Sequence, residues 1–359
     1  MKRNLMLIVV SLLVMALLAG CAGTVVVIDD CTCPTGGETV TPTQPKPDNN
    51  DGSAVKTGVS VITTVAESTS ATESEEGAVK FDVTVTAVTV DDNGVIRSCY
   101  IDSIPATVKL DATGAITSDL TAAVPTKNEL GSDYGMVAWG GAIAEWDAQV
   151  AALCNFAIGK TVDELKNGAI DETGKAPAGS DLASSATIYL GGFVSSIEAA
   201  VNNAKHLGAS ADDSLKLVTL NKVSASVAAT ADKEGTAQLD ADIAVVTEKE
   251  GTITSCIIDS VQAKVNFNAT GAITTDLSAS ILTKNELGEN YGMMAWGGAI
   301  AEWNTQAASF ASYVTGKTAA EVAGIAIDEA TKPADGSDLA TSVTISIGGF
   351  QALIAKALA

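Results

Sequence analysis

The chain has 359 residues, 43 of them Asp or Glu and 21 Lys or Arg, for a formal charge of −22. A surface this acidic repels nucleic acid and anionic headgroups, which all but excludes nucleic-acid binding as a function class. Its 47% hydrophobic content supports real cores over a length that fits two domains, and against 4% aromatic residues the four Trp stand out.

Lys2 and Arg3 precede an almost wholly apolar run over 4–18, and Leu18-Ala19-Gly20-Cys21 follows. This reads as a signal peptide over 1–20, too short and wrongly flanked for a permanent membrane span. Its end resembles the lipobox of bacterial lipoproteins. The resemblance implies cleavage before Cys21, diacylglyceryl attachment to its sulfur, and a protein held at the extracellular face of the cell membrane. No later stretch of 18 apolar residues exists, so lipid is the one membrane attachment the sequence supports. Two or three acyl chains, at about 0.8 kcal/mol per buried methylene, hold a protein firmly. Residues 21–55 then form the lipidated N-terminus and a flexible tether rich in Thr, Pro, Gly, Asp and Asn. As a coil it spans about 30–35 Å, enough to hold the rest off a bilayer.

The remainder is written twice. Thr126 to Trp146 reads TKNELGSDYGMVAWGGAIAEW, and Thr283 to Trp303 reads TKNELGENYGMMAWGGAIAEW: 18 of 21 positions match at an offset of 157. The same offset relates Asp111-Ala-Thr-Gly-Ala-Ile-Thr to Asn268-Ala-Thr-Gly-Ala-Ile-Thr, and Gly159-Lys160-Thr161 to Gly316-Lys317-Thr318. That period is far too long for a solenoid and indicates domain duplication, with repeat 1 over 56–207, repeat 2 over 213–359 and a short joint at 208–212.

Each repeat starts with alternation. Val79, Phe81, Val83, Val85 and Val88 are followed by runs over 95–101 and 106–110, and Asp91-Asp92-Asn93-Gly94 is a hairpin signal. A twisted antiparallel sheet is expected. The period then changes: Trp139, Ile143, Trp146, Val150 and Leu153 fall on one face of a helix, as do Trp296, Ile300, Trp303, Ala307 and Phe310. Thr161 and Thr318, with Glu164 and Glu321 three residues on, read as capping boxes. Strand-like segments over 185–190 and 342–347 and closing helices over 193–205 and 350–358 complete an α+β class, two tandem copies of one domain, each a twisted antiparallel sheet packed with helices. Six Cys do not form a disulfide framework: Cys31 and Cys33 lie in the tether, while Cys99, Cys256 and Cys154 read as small buried hydrophobes.

Much chemistry is excluded. The single histidine, His206, falls at an expected helix end and has no counterpart in repeat 2, which argues against Ser-His-Asp or Cys-His catalysis. There is no HExxH, CxxC pair or EF-hand loop, so no metal site is expected, and no Gly-rich phosphate loop follows a strand.

One segment stands apart: Asp181-Leu182-Ala183-Ser184-Ser185-Ala186-Thr187, matched by Asp338-Leu339-Ala340-Thr341-Ser342-Val343-Thr344. It resembles the flavinylation motif of FMN-binding domains, with Ser185 and Ser342 in place of Gly and Val343 in place of Ala. The turns Asn93-Gly94-Val95-Ile96 and Glu250-Gly251-Thr252-Ile253 fit the same family. The duplicated, lipobox-bearing arrangement resembles the flavinylated lipoproteins of Gram-positive extracellular electron transfer. The resemblance implies an FMN-binding-domain-like fold in each repeat and covalent FMN through a phosphoester on Thr187 and Thr344. It implies a Mg-dependent flavin transferase that moves FMN from FAD, a membrane electron donor and a soluble or insoluble external acceptor. The cofactor segment comprises Asp181, Ser184, Ser185, Ala186 and Thr187, with Asp338, Thr341, Ser342, Val343 and Thr344; Glu129 and Glu286 read as flavin-side hydrogen-bonding groups or equally as carboxylates solvating a loop, and Lys127 and Lys284 as offsets for the phosphate or as solvent-facing lysines. Such a protein is an electron carrier more than a catalyst with its own substrate.

Three alternatives stay open at this level. The Asp can be a turn residue leading a polar strand. The four Trp can be core, or one per repeat can pack on a flavin ring, as can Tyr134 or Tyr291. The whole can be a non-redox tandem surface module for adhesion or ligand binding, or a receptor using Trp-lined clefts.

Overall fold

Alternation puts Val79, Phe81, Val83, Val85 and Ala87 on one side of a strand, and all five are buried. In the computed structural model, which describes residues 52–359, that strand is β2 (Gly77–Val90). It pairs antiparallel with β1 (Ala54–Thr64) and β3 (Ile96–Leu110). The leader, Cys21 and nearly all of the tether lie outside the described residues; β1 takes in the last two residues of the expected tether. β3 runs unbroken through Pro105, which lies opposite Asp82. Proline is tolerated there because β3 is an edge strand. The expected hairpin turn is present. Asp91 Oδ1 accepts the N–H groups of Asn93 and Val95, both at 2.9 Å, and Oδ2 pairs with Arg97 at 2.8 Å.

Helices follow: α1 (Lys127–Leu130), α2 (Met136–Gly140), α3 (Trp146–Ala157), α4 (Val162–Ala169) and α5 (Gly191–Asn202). Then come β4 (Lys205–Ser210) and the strands β5 (Ser214–Lys222), β6 (Gly235–Lys249) and β7 (Thr252–Phe267). The chain ends in α6 (Lys284–Leu287), α7 (Met293–Gly297), α8 (Trp303–Val314), α9 (Ala319–Ala323) and α10 (Gly348–Ala357). The class is mixed α+β with antiparallel sheets. One sheet has the order β3-β2-β1-β4 and the other β5-β6-β7.

The sheets face each other. Val79, Phe81, Ile104 and Val108 share one core with Leu239, Ile243, Val265 and Phe267. The hairpin end of each outer face packs on helices instead. Val88, Cys99 and Ile101 meet Trp146, Leu153, Leu165 and Ile197, while Val246, Cys256 and Ile258 meet Trp303, Phe310, Val322 and Ile354. The layers are therefore helix, sheet, sheet, helix. The Ala-Thr-Gly turns dock on the opposite half: Ala71 N–H donates to the Gly271 carbonyl and Ala229 N–H to the Gly114 carbonyl, both at 2.9 Å.

Four expectations change. The end of the closing helix and the first part of the joint, residues 205–210, are instead β4, which adds to the edge of β1, so His206 sits on a strand and pairs with Asp92 at 3.0 Å. The long helix from Trp139 to Leu153 is two helices, because Gly141 adopts φ +61° and ends α2. The strand-like segments over 185–190 and 342–347 are not strands, since their amide groups find side-chain and loop partners described below. Strand β1 escaped the sequence reading altogether. The capping boxes of Thr161 with Glu164 and Thr318 with Glu321 are present, and Cys99, Cys154 and Cys256 are buried.

Candidate functional site

The most repeated segment, Thr-Lys-Asn-Glu-Leu, is a staple between α1 and β3. Thr126 caps α1 and Glu129 completes the box, its carboxylate accepting the Thr126 N–H at 2.8 Å. Asn128 Nδ2 donates to the Ile101 carbonyl at 3.0 Å, and its N–H donates to Asp102 Oδ1 at 3.1 Å. Thr283, Glu286, Asn285 and Asp259 repeat every contact. Glu129 also meets Lys356 of α10 across the halves. The two Glu residues expected near a flavin are thus engaged as caps. Lys127 and Lys284, expected as offsets for a phosphate, lie against aromatic rings. The Lys127 ammonium lies 5.3 Å from the Tyr134 ring and 5.1 Å from Trp146, with Asp82 at 3.4 Å; Lys284 lies 5.3 Å from Tyr291 and 4.9 Å from Trp303.

Burial pushes the Asp102 carboxyl up to about 6, against hydrogen bonds from Thr126, Asn128 and Ser103. Burial does the same to Asp259, also to about 6. A raised folded-state value means the native protein keeps a proton the unfolded chain releases. Stability from these two groups is then full below about pH 4 and is lost as pH rises through about 6, by on the order of 3 kcal/mol each. Surface carboxylates such as Asp111, held low by the Thr113 hydroxyl, act in the opposite direction. The comparison is therefore with a D102N/D259N variant. Its urea midpoint is expected to gain on the parent between pH 4 and 7 and to run parallel above that; a constant offset counts against the assignment.

The motif residues build one loop per half. A 3-10 turn, Leu182–Ser184, buries Leu182, and Ala186 N–H closes onto the Leu182 carbonyl at 2.8 Å. Leu339, Thr341 and Val343 repeat this, with Val343 filling the place of Ala186. Ser184 and Thr341 donate their hydroxyls to the carbonyls of Asp181 and Asp338 at 2.6 and 2.7 Å. Asp181, Ser185, Asp338 and Ser342 are exposed, and neither aspartate side chain caps its turn. Thr187 is exposed and Thr344 half-exposed. An open cleft of about 680 Å³ runs beside the second loop, lined by Asn304, Ser309, Tyr313, Asp338 and Ser342 among others.

What holds each threonine is a buried glutamine that the sequence reading missed. Gln149 Oε1 accepts the Thr187 N–H at 2.8 Å, its hydroxyl at 3.3 Å and the Ile188 N–H at 3.2 Å. Gln149 Nε2 donates to the Ala144 carbonyl at 2.8 Å. Gln306 holds Thr344 at 2.8 Å through N–H and 3.2 Å through the hydroxyl, and donates to the Ala301 carbonyl at 2.8 Å. These bonds replace a strand ladder. Farther on, the Leu190 N–H turns to the Gly174 carbonyl and the Ile347 N–H to the Thr331 carbonyl, each at 2.8 Å. The available signal was a Gln at 149 and 306, on the same helical stripe as Trp146 and Val150 or Trp303 and Ala307.

The tryptophans divide. Trp146 and Trp303 are buried edge-on against Phe193 and Phe350 at 5.8 and 5.9 Å. Trp139 and Trp296, expected on the same helix face, are 90% and 91% exposed. Each sits on a clamped short helix, α2 or α7: Glu145 accepts the N–H groups of Met136 and Val137 at 2.8 and 3.0 Å, and Glu302 accepts those of Met293 and Met294 at the same distances. Among the described residues, no group of His, Cys, Asp and Glu is placed to hold a metal, and no helix is long and apolar enough to cross a membrane. Compared with known protein families, curated proteins and solved structures, the chain has no match in any of the three.

Proposed function

We propose that this is a membrane-anchored extracellular flavoprotein, two copies of an FMN-binding-domain-like unit carrying covalent FMN on Thr187 and Thr344 and relaying electrons from a membrane donor to an external acceptor. The observation that carries the reading is the matching placement of the two threonines: each on a loop, Thr187 exposed and Thr344 half-exposed, with N–H and hydroxyl both held by one buried amide. Modification by a separate enzyme needs that accessibility.

The donor set fits attachment by an outside catalyst. An amide oxygen accepts the threonine proton's hydrogen bond but is not a base, so Gln149 and Gln306 orient the hydroxyl without activating it. A Mg-dependent flavin transferase would supply the base. The new bond joins Thr Oγ1 to the FMN phosphorus, the pyrophosphate of FAD breaks, AMP leaves and the hydroxyl proton goes to the transferase. FMN, once attached, supplies the electron-carrying chemistry. The open cleft is lined by Asp338 and Ser342, on the same loop as Thr344. A covalent link also suits an acidic protein outside a cell, where long-range charge attracts an anionic phosphate poorly and a dissociable flavin is diluted away.

The test is co-expression with a flavin transferase. The protein is expected to show two flavin adducts by intact mass and a fluorescent band after denaturing electrophoresis. Thr187→Ala and Thr344→Ala each remove one adduct, and the double variant removes both. An unmodified mass beside an active transferase overturns the reading. In that case the exposed Trp139 and Trp296 favour a non-redox tandem surface module for adhesion or ligand binding.

A further inference from the structure

We infer that Trp139 and Trp296 are the stacking platforms for the flavin rings attached to Thr187 and Thr344, an assignment that rests on the flavin reading above. A Trp left almost wholly in solvent forfeits the burial that favours its indole, and here the exposure occurs twice at equivalent places. Two other rings in each half are engaged. Trp146 packs on Phe193, and the Lys127 ammonium lies over Tyr134; Trp303 and Tyr291 are engaged in the same way by Phe350 and Lys284. Tyr189, on the motif loop itself, is also 60% exposed, but its equivalent in the second half is Ser346, so Trp139 and Trp296 are the open aromatic faces that both halves share.

Each platform is rigid. The Glu145 carboxylate ties the start of α2 to the start of α3, and the Ala142 N–H closes onto the Met136 carbonyl at 3.1 Å. The indole rests on Gly135, where a Cβ would come within 2.2 Å of Trp139 Cδ1; Gly292 lies under Trp296 in the same manner, at 2.4 Å. Half-exposed Val137 and Ile143, or Met294 and Ile300, supply an apolar border of the kind a large planar ring covers.

The occupant follows from continuity. The segment that carries Trp139 ends at the Ala144 carbonyl, and Gln149 joins that carbonyl to Thr187 through a single side chain. Gln306 joins the Trp296 segment to Thr344 likewise. The threonine and the indole are thus carried on one braced frame, and offset stacking is the geometry that a tethered ring and an indole favour.

The experiment uses the full chain loaded with flavin, with intact mass giving the number of adducts. A stacked indole donates an electron to an excited flavin and quenches it. Emission per bound flavin is expected to rise several-fold in W139A/W296A, to rise less in W139F/W296F, and to stay at the parent level in W146F. Melting midpoints of the exposed-site variants stay near that of the parent. Full loading with equal emission in parent and W139A/W296A overturns the assignment alone. An unmodified parent mass overturns the flavin reading and the assignment with it. If the indole emission of the loaded parent shifts to the blue on adding phosphatidylglycerol vesicles, while flavin emission matches that of the variant, the platforms are membrane-resting surfaces and the assignment falls.

Discussion

Replacing Gln149 with Leu is expected to destabilise the protein by about 2–4 kcal/mol and to lower flavin attachment at Thr187 several-fold, leaving Thr344 in the same molecule near its parent level. The side chain is fully buried and makes four hydrogen bonds. Leucine fills a similar volume, so the cavity contribution is small. The cost comes from the polar groups left behind: the Ala144 carbonyl and the N–H groups of Thr187 and Ile188. A buried polar group left without a partner costs about 1–3 kcal/mol, and water reaches the outer members of this set and recovers part of it. Gln149→Glu separates the two jobs of the amide. The carboxylate still accepts from Thr187 but cannot donate to Ala144, and it places a charge where none is paired. Urea titration reads the stability, and peptide mass mapping reads attachment at each threonine. Unchanged loading at Thr187 in the Leu variant shows that the amide supports the fold and not the presentation of the hydroxyl. Gln306→Leu reverses the roles of the two sites and serves as the internal control.

The sequence displayed the sheet, because the alternation of Val79 to Val85 and the Asp91 turn are local signals of strand and hairpin. It displayed the capping boxes for the same reason: Thr161 and Glu164 need each other at a fixed spacing. It did not display what depends on partners distant in the chain. Strand β4 carries exposed residues such as His206 and Leu207, and its pairing with β1 is a non-local event. The helix across Gly140-Gly141 was legible as a period and not as a break, since the apolar spacing of Trp139 and Trp146 survives the turn between them. For the site, the motif led to Thr187 and Thr344. It gave no indication of Gln149 and Gln306, each 38 residues before its threonine. Glu129 and Glu286 carry a local signal that was passed over. Their spacing from Thr126 and Thr283 already matches a capping box, the role in which the structure places them.

The halves are expected to fold only together. Residues 52–212 and 213–359, expressed separately, should each lack a cooperative unfolding transition, and co-expressed they should form a soluble one-to-one complex. The reason is the inner core. Phe81 and Phe267 are among the largest fully buried side chains, and they belong to one cluster drawn from both sheets. Cutting the chain exposes the inner face of each sheet to water, at a loss of about 25 cal/mol for every Å² of apolar surface uncovered. It also removes the bonds from Ala71 to Gly271 and from Ala229 to Gly114, and that between the Thr57 and Ser255 hydroxyls at 2.8 Å. In the intact chain, Phe81→Ala is expected to cost about 3–5 kcal/mol, the range for large aromatic truncations in a core. That cost should fall on both halves. With Trp303→Phe leaving Trp146 as the buried reporter of the first half, and Trp146→Phe leaving Trp303 for the second, both probes should show one transition, shifted to the same lower urea midpoint. Two separate transitions, or a second half indifferent to Phe81→Ala, would mean that the helix-covered outer cores suffice to fold each half and that the contact between the sheets is a docking of finished domains.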